Sequence, residues 1–110
     1  DQGAKTNTLT REQNTLLMLS VLSGSKTITE KMLRLEIKVN DKNNAGDTAL
    51  MLAAATRKND IIELLIQSGA DIQTRNKDDL NAYQIALNAG YNDTAILIKK
   101  RSGRLFQLFN

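Results

Sequence analysis

The feature that most constrains this chain is a period. Displaced by 33 positions, the sequence falls back on itself in both directions from its middle. Thr48 lands on Thr15 and on Asn81, Leu50 on Leu17 and Tyr83, Met51 on Met18 and Gln84, and Leu52 on Leu19 and Ile85. The small pair Ala53 and Ala54 lands on Ser20 and Val21, then on Ala86 and Leu87. Ile61 lands on Ile28 and Thr94, Leu65 on Met32 and Ile98, and Ile72 on Val39. Three units therefore run in register from Thr10 without insertion.

Each unit reads as two short helices. In the middle one, Ala49 to Ala55 is apolar or small almost throughout, and Ile61, Ile62, Leu64, Leu65 and Ile66 form a stripe at helical spacing. Thr48 stands where an N-cap hydroxyl can accept a free backbone N–H. Asp60 falls in the first turn of the second helix, at the positive end of its dipole. Gly69 follows the stripe, where a left-handed residue closes a helix. Helices this short are marginal alone, and one pair has nothing against which to bury its apolar face. The pair must stack on a neighbour.

The middle unit resembles the ankyrin-repeat family. It carries that family's threonine–alanine–leucine start as Thr48, Ala49 and Leu50, the Ala53-Ala54 pair, and a Gly69-Ala70-Asp71 ending. Ala49 stands where the family has proline and Met51 where it has histidine, which removes a side-chain hydrogen bond between neighbouring repeats. The outer units depart further. Gln13 and Asp79 take the glycine position, Ser20 and Val21 replace the alanines, Asn81 replaces the threonine, and Glu36-Ile37-Lys38 replaces Gly-Ala-Asp. The resemblance implies an all-α solenoid of three helix–turn–helix units joined by β-turn fingers. The expected division is a polar flank over 1–9, repeats over 10–42, 43–75 and 76–102, and a hydrophobic tail over 103–110.

Composition narrows the chemistry. Apolar residues make up 41% and charged residues 25%, as in a globular chain, with two Tyr and two Phe as the only aromatics. Leu, Ile, Ala and Met must build the core, which suits close-packed helices. There is no Cys and no His, so disulfides and the usual zinc sites are excluded, as are the commonest nucleophile–base pairs. No metal, cofactor or catalytic residue is expected. Ser23 to Thr27 has a phosphate-loop look, but serines occupy both glycine positions, Ser20 and Ser25. From Asp41, a calcium-loop pattern fails at Ala45 and at Leu52, which stands in place of the bidentate Glu. Asp71, Asp78 and Asp79 read as solvated finger charges. Lys99, Lys100, Arg101 and Arg104 read as cations at the C-terminal end of the last helix. A net charge of +3, without a basic stripe interleaved with aromatics, gives no reason to expect nucleic-acid binding. No apolar run reaches membrane-spanning length.

What remains is surface. The resemblance implies a non-enzymatic, monomeric module that grips a partner protein on the face made by the fingers and first helices. Position by position, the tips are Arg11, Glu12 and Asn14, then Asn44, Ala45 and Asp47, then Lys77, Asp78 and Leu80. The ends of the first helices add Leu22 and Ser23, Ala55 and Thr56, and Asn88 and Ala89. Side chains there are expected to be free of stacking duty. Leu105, Phe106, Leu108 and Phe109 are expected to fold back as a cap; the alternatives are a docking motif and the stump of a further repeat. Richness in Lys, Asn and Ile, with a start at Asp1 rather than Met, hints at an exported bacterial chain of inhibitor, immunity or effector type. The alternative is a spacer segment of a larger protein, and cytoplasm and periplasm both stay open.

Overall fold

A computed structural model describes residues 14–35 and 38–109, with side chains as far as Ser102. Among the described residues the secondary structure is six helices and no strand. They are α1 (Leu16–Ser23), α2 (Lys26–Arg34), α3 (Ala49–Ala55), α4 (Asn59–Gln67), α5 (Ala82–Asn88) and α6 (Asn92–Phe109). Within each unit the two helices pack on each other. Across units α1, α3 and α5 form one row, and α2, α4 and α6 a second.

The starts of the first-row helices repeat the same chemistry at the 33-residue spacing. Thr15 Oγ1 accepts the Met18 N–H at 3.2 Å, Thr48 Oγ1 the Met51 N–H at 3.4 Å, and Asn81 Oδ1 the Gln84 N–H at 2.9 Å. Asn81 and Gln84 close a reciprocal capping box, so asparagine replaces threonine here without loss of the cap. The C-terminal ends repeat as well. After α4, the Gly69 N–H donates to Ile66 O at 3.1 Å and the Ala70 N–H to Leu65 O at 3.0 Å, with Gly69 at φ 99°. The same pair of bonds closes α3 and α5, but at α3 the left-handed residue is Arg57, at φ 58°.

The core lies between the rows and between the units. Leu17, Met18 and Val21 from α1 meet Leu50, Met51, Ala53 and Ala54 from α3; Ile61, Ile62 and Leu65 from α4 lie beneath, and Ala82, Ala86, Ala95 and Ile98 complete the third unit. Alanine in the first row lets neighbouring helices approach closely. Met51, where the family's histidine would stand, is buried among these apolar residues. Ile28, in register with buried Ile61, is 46% exposed, whereas Thr29, in register with buried Ile62, is buried. α6 continues past Ser102 through Gly103 to Phe109. The backbone of the tail is therefore the last part of α6, with no turn to fold it back. Lys99, Lys100 and Arg101 accordingly lie in mid-helix rather than at a C-terminus, and Arg101 pairs with Glu63 of α4.

Gly46 sits where two fingers meet. Its φ is 81°, and a Cβ added there would come within 2.9 Å of the Lys77 backbone nitrogen. Gly46→Ala is expected to destabilise the chain by roughly 2 kcal/mol, combining the left-handed penalty with a clash against backbone. A urea midpoint shift at unchanged slope checks this; an unchanged midpoint would mean that the fingers are not in contact.

Candidate protein-binding surface

Each of the two fingers that lie wholly within the described residues is a five-residue turn held by one asparagine. In the second unit the Asn43 N–H donates to Asp47 O and the Gly46 N–H to Asn43 O, each at 2.9 Å. Asn43 Oδ1 accepts the N–H groups of Ala45 and Asp47 at 3.0 and 2.9 Å. Asn76 repeats this in the third unit, accepting from Asp78 at 2.9 Å and Leu80 at 3.0 Å. Both amides then use their Nδ2 to reach back one unit. Asn43 donates to Asn14 Oδ1 at 2.8 Å, and Asn76 to Asp47 Oδ1 at 2.9 Å. The Lys77 N–H adds a backbone bond to Ala45 O at 3.0 Å. Behind the fingers, Asn40 joins successive loops, donating to Gly69 O at 3.2 Å and accepting the Asp71 N–H at 2.8 Å.

This ladder sorts the expected contact residues. Asn14 is buried (7% exposed) and Asp47 half-buried, and both accept a rung from the next finger. They carry stacking duty, contrary to the expectation of free tips. Leu80 is half-buried. Thr56 is half-buried too, its hydroxyl turned onto Leu52 O at 2.8 Å. Asn44, Ala45, Lys77 and Asp78 are exposed at the tips, and Leu22, Ser23, Ala55, Asn88 and Ala89 are exposed at the first-row helix ends. Arg11 and Glu12 lie outside the described residues, as do the side chains of Leu105, Phe106 and Phe109. Asn43 and Asn76, which hold the second and third fingers, were not among the expected site residues. The signal was in the sequence: they are the same residue one period apart.

A second polar cluster lies at the opposite ends of the first-row helices. Asp93 Oδ2 accepts from Asn59 Nδ2 at 3.0 Å and from Arg57 Nε at 3.2 Å, while Thr94 Oγ1 donates to Asn59 Oδ1 at 2.6 Å. The Arg57 guanidinium also lies 5.8 Å from the centre of the Tyr91 ring. The Asn59 bond, chiefly, and the Arg57 guanidinium hold the Asp93 carboxyl below the usual carboxylate range. Arg57 and Asp93 are both well solvated, so their ion pair itself contributes little. The cluster links unit to unit and presents no nucleophile. Asp71, Asp78 and Asp79 are all exposed, and Asp79 pairs with Arg75. Among the described residues no set of three or more His, Cys, Asp or Glu could hold a metal, and no helix is long and apolar enough to cross a membrane.

Two outcomes follow from this geometry. Asn76→Ala removes two loop bonds and one rung and is expected to cost about 2 kcal/mol, since it leaves the half-buried Asp47 carboxylate short of a donor. Chemical denaturation measures it; a loss below about 0.5 kcal/mol would show that the ladder is idle. Because the Asp93 value is depressed in the fold, its contribution is complete above the unfolded value and is lost as pH falls through the folded one. Between about pH 6 and about pH 3, the melting temperature of wild type should therefore fall further than that of Asp93→Asn. Parallel curves would remove Asp93 from the acid response.

Comparison with known proteins agrees with the geometry. The profile of the family described as ankyrin repeats (3 copies) matches residues 2–76. Alpha-latrotoxin-Lt1a of Latrodectus tredecimguttatus is 37% identical over 71 residues, covering 64% of this chain and 5% of that protein. Dauer abnormal formation protein 25 of Caenorhabditis elegans is 32% identical over 84 residues, covering 76% of this chain and 22% of that protein. The Notch-regulated ankyrin repeat-containing protein of Homo sapiens is 29% identical over 73 residues, covering 66% of this chain and 64% of that protein. The chain thus spans only a small part of its first two relatives here and just under two thirds of the third. With the period, the paired helix rows and the finger ladder in place, the chain belongs to the ankyrin-repeat family.

Proposed function

We propose that this chain is a protein-binding module that engages its partner through the finger tips and the exposed ends of the first-row helices. The observation that carries the reading is a division of labour among the tip residues. Asn43, Asn76, Asn14 and Asp47 fix the fingers by hydrogen bonds. On that frame Asn44, Ala45, Lys77 and Asp78 face solvent, and Leu22 is 41% exposed at the C-terminal end of α1. A rigid backbone with exposed side chains of mixed polarity loses little entropy on binding. Membership of a family of protein-interaction repeats supports the same reading. The module acts as a monomer and by occupancy, as an inhibitor or an effector would.

A second reading is favoured by one finding. The matched stretch is 5% of alpha-latrotoxin-Lt1a, so a stretch similar to this one occurs within a much longer chain, where a unit can serve as a spacer. The experiment that separates the two is affinity capture from lysate of the source organism. Wild type is compared with Leu22→Ala/Lys77→Ala/Asp78→Ala, and binding of the retained protein is then measured with purified components. The binding-module reading expects at least about a tenfold loss of affinity in the triple variant. Its melting temperature should stay within about 2 °C of wild type, because all three side chains are exposed. Undiminished binding by the variant would exclude the tips, and loss of binding only on deleting 103–110 would move the site to the tail.

A further inference from the structure

The two ends of the stack are not alike. At the C-terminal end the register stops supplying what a further unit needs. Leu80 stands where Asn14 and Asp47 offer a side-chain oxygen to the next finger, and it has none to offer. Ser102 stands at the register of Gly69, and α6 runs on to Phe109 instead of turning into another finger.

At the N-terminal end the opposite holds. Two registers are buried in both the second and third pairs, Ala49 and Ala82 at one, Ile61 and Thr94 at the other. At a third, Ser68 is exposed while Arg101 reaches back to Glu63. The first unit carries Leu16, Ile28 and Leu35 at these registers, and they are 37%, 46% and 69% exposed. Leu16 and Ile28 thus have the place in the repeat of residues buried in both later pairs, and Leu35 the place of Arg101 in the last. The sequence before this face is in register too. Gly3-Ala4 precedes Gly69-Ala70, the pair that closes α4, by two periods, and Asn7 precedes the loop-joining Asn40 by one. The family match also begins at residue 2, ahead of the first helix pair.

From the face and the register together, we propose that Leu16, Ile28 and Leu35 form a docking face for one more helix pair of the same kind, lying before Gly3 in chain order. The occupant is a repeat unit, because Gly3-Ala4 has the sequence register of the pair that closes α4, so a preceding helix pair of the same period would be in step with the units already stacked. The face then serves stacking and is not part of the partner-binding surface.

The test supplies such a unit from the chain's own sequence. A copy of residues 43–66 is joined directly to Asp1, which gives Asp1 the register of Gln67 and preserves the period. The extended chain should melt in one transition at least about 5 °C above the 110-residue chain. A control with two glycines inserted at the junction, which breaks the register, should gain nothing. A second form carries Leu16→Ala, matching Ala49 and Ala82, so that excess bulk at that register cannot mask docking. Ile28→Lys should lower the melting temperature of the extended chain by about 3 °C or more and that of the 110-residue chain by less than about 1 °C. Separate melting of the added unit in both forms, an equal gain in the glycine control, or an equal effect of Ile28→Lys in both lengths would overturn the proposal. So would a dimer of the 110-residue chain that Ile28→Lys dissociates, which would assign the face to self-association.

Discussion

Everything in this molecule depends on burial between units. The helices of the first two units are seven to nine residues long, too short to persist alone, and each pair has apolar residues on faces that its own partner helix cannot cover. Ala53, Ala54 and Ala86 are small because a neighbouring helix lies against them, and Ile61, Ile62 and Leu65 are buried because α4 is packed within its own pair and against other pairs. Stability in such an array is the sum of weak units and the interfaces between them, so the interfaces decide whether anything folds.

The finger ladder is the polar counterpart of that burial. A loop projecting from a helix row would be a mobile tip if held only at its ends. Here one asparagine closes the loop on itself and fastens it to the preceding loop, using the oxygen and the nitrogen of the same amide for the two tasks. Only an asparagine side chain is short enough to do the first and has the donor for the second. The outcome is a pair of fixed tips at which Asn44, Ala45, Lys77 and Asp78 are exposed. On the proposed function, that fixed frame is the physical basis for recognition.

Much of this was legible in the sequence. The period located the units and the first-row helix starts, and Thr15, Thr48 and Asn81 all proved to be caps. Gly69 proved to be the helix-closing residue. Less legible were features that depend on which neighbour is present. Ile28 has the chemistry of a core residue and the register of one, but it is 46% exposed. Asn14 and Asp47 look like ordinary tip residues, because their role is set by an amide on the following finger. Nor did the sequence reading include that α6 runs on through Ser102 and Gly103, at the modest cost of an interior glycine. Arg57 hides a glycine position that aligning it with Gly24 and Gly90 would have exposed.

The most direct test of the central claim is a lesion in one interface, read in a unit that it does not touch. Ala54 is fully buried in α3, where α5 packs. Amide hydrogen exchange should be followed in Ala54→Asp beside wild type, with separate readout of α1, α3 and α5. If the interfaces hold the array together, protection is lost in α1 as well as in α5, because one remaining interface cannot sustain two marginal units. Persistent wild-type protection in α1 and α2 of the variant would contradict the account, since it would show a unit able to stand on its own.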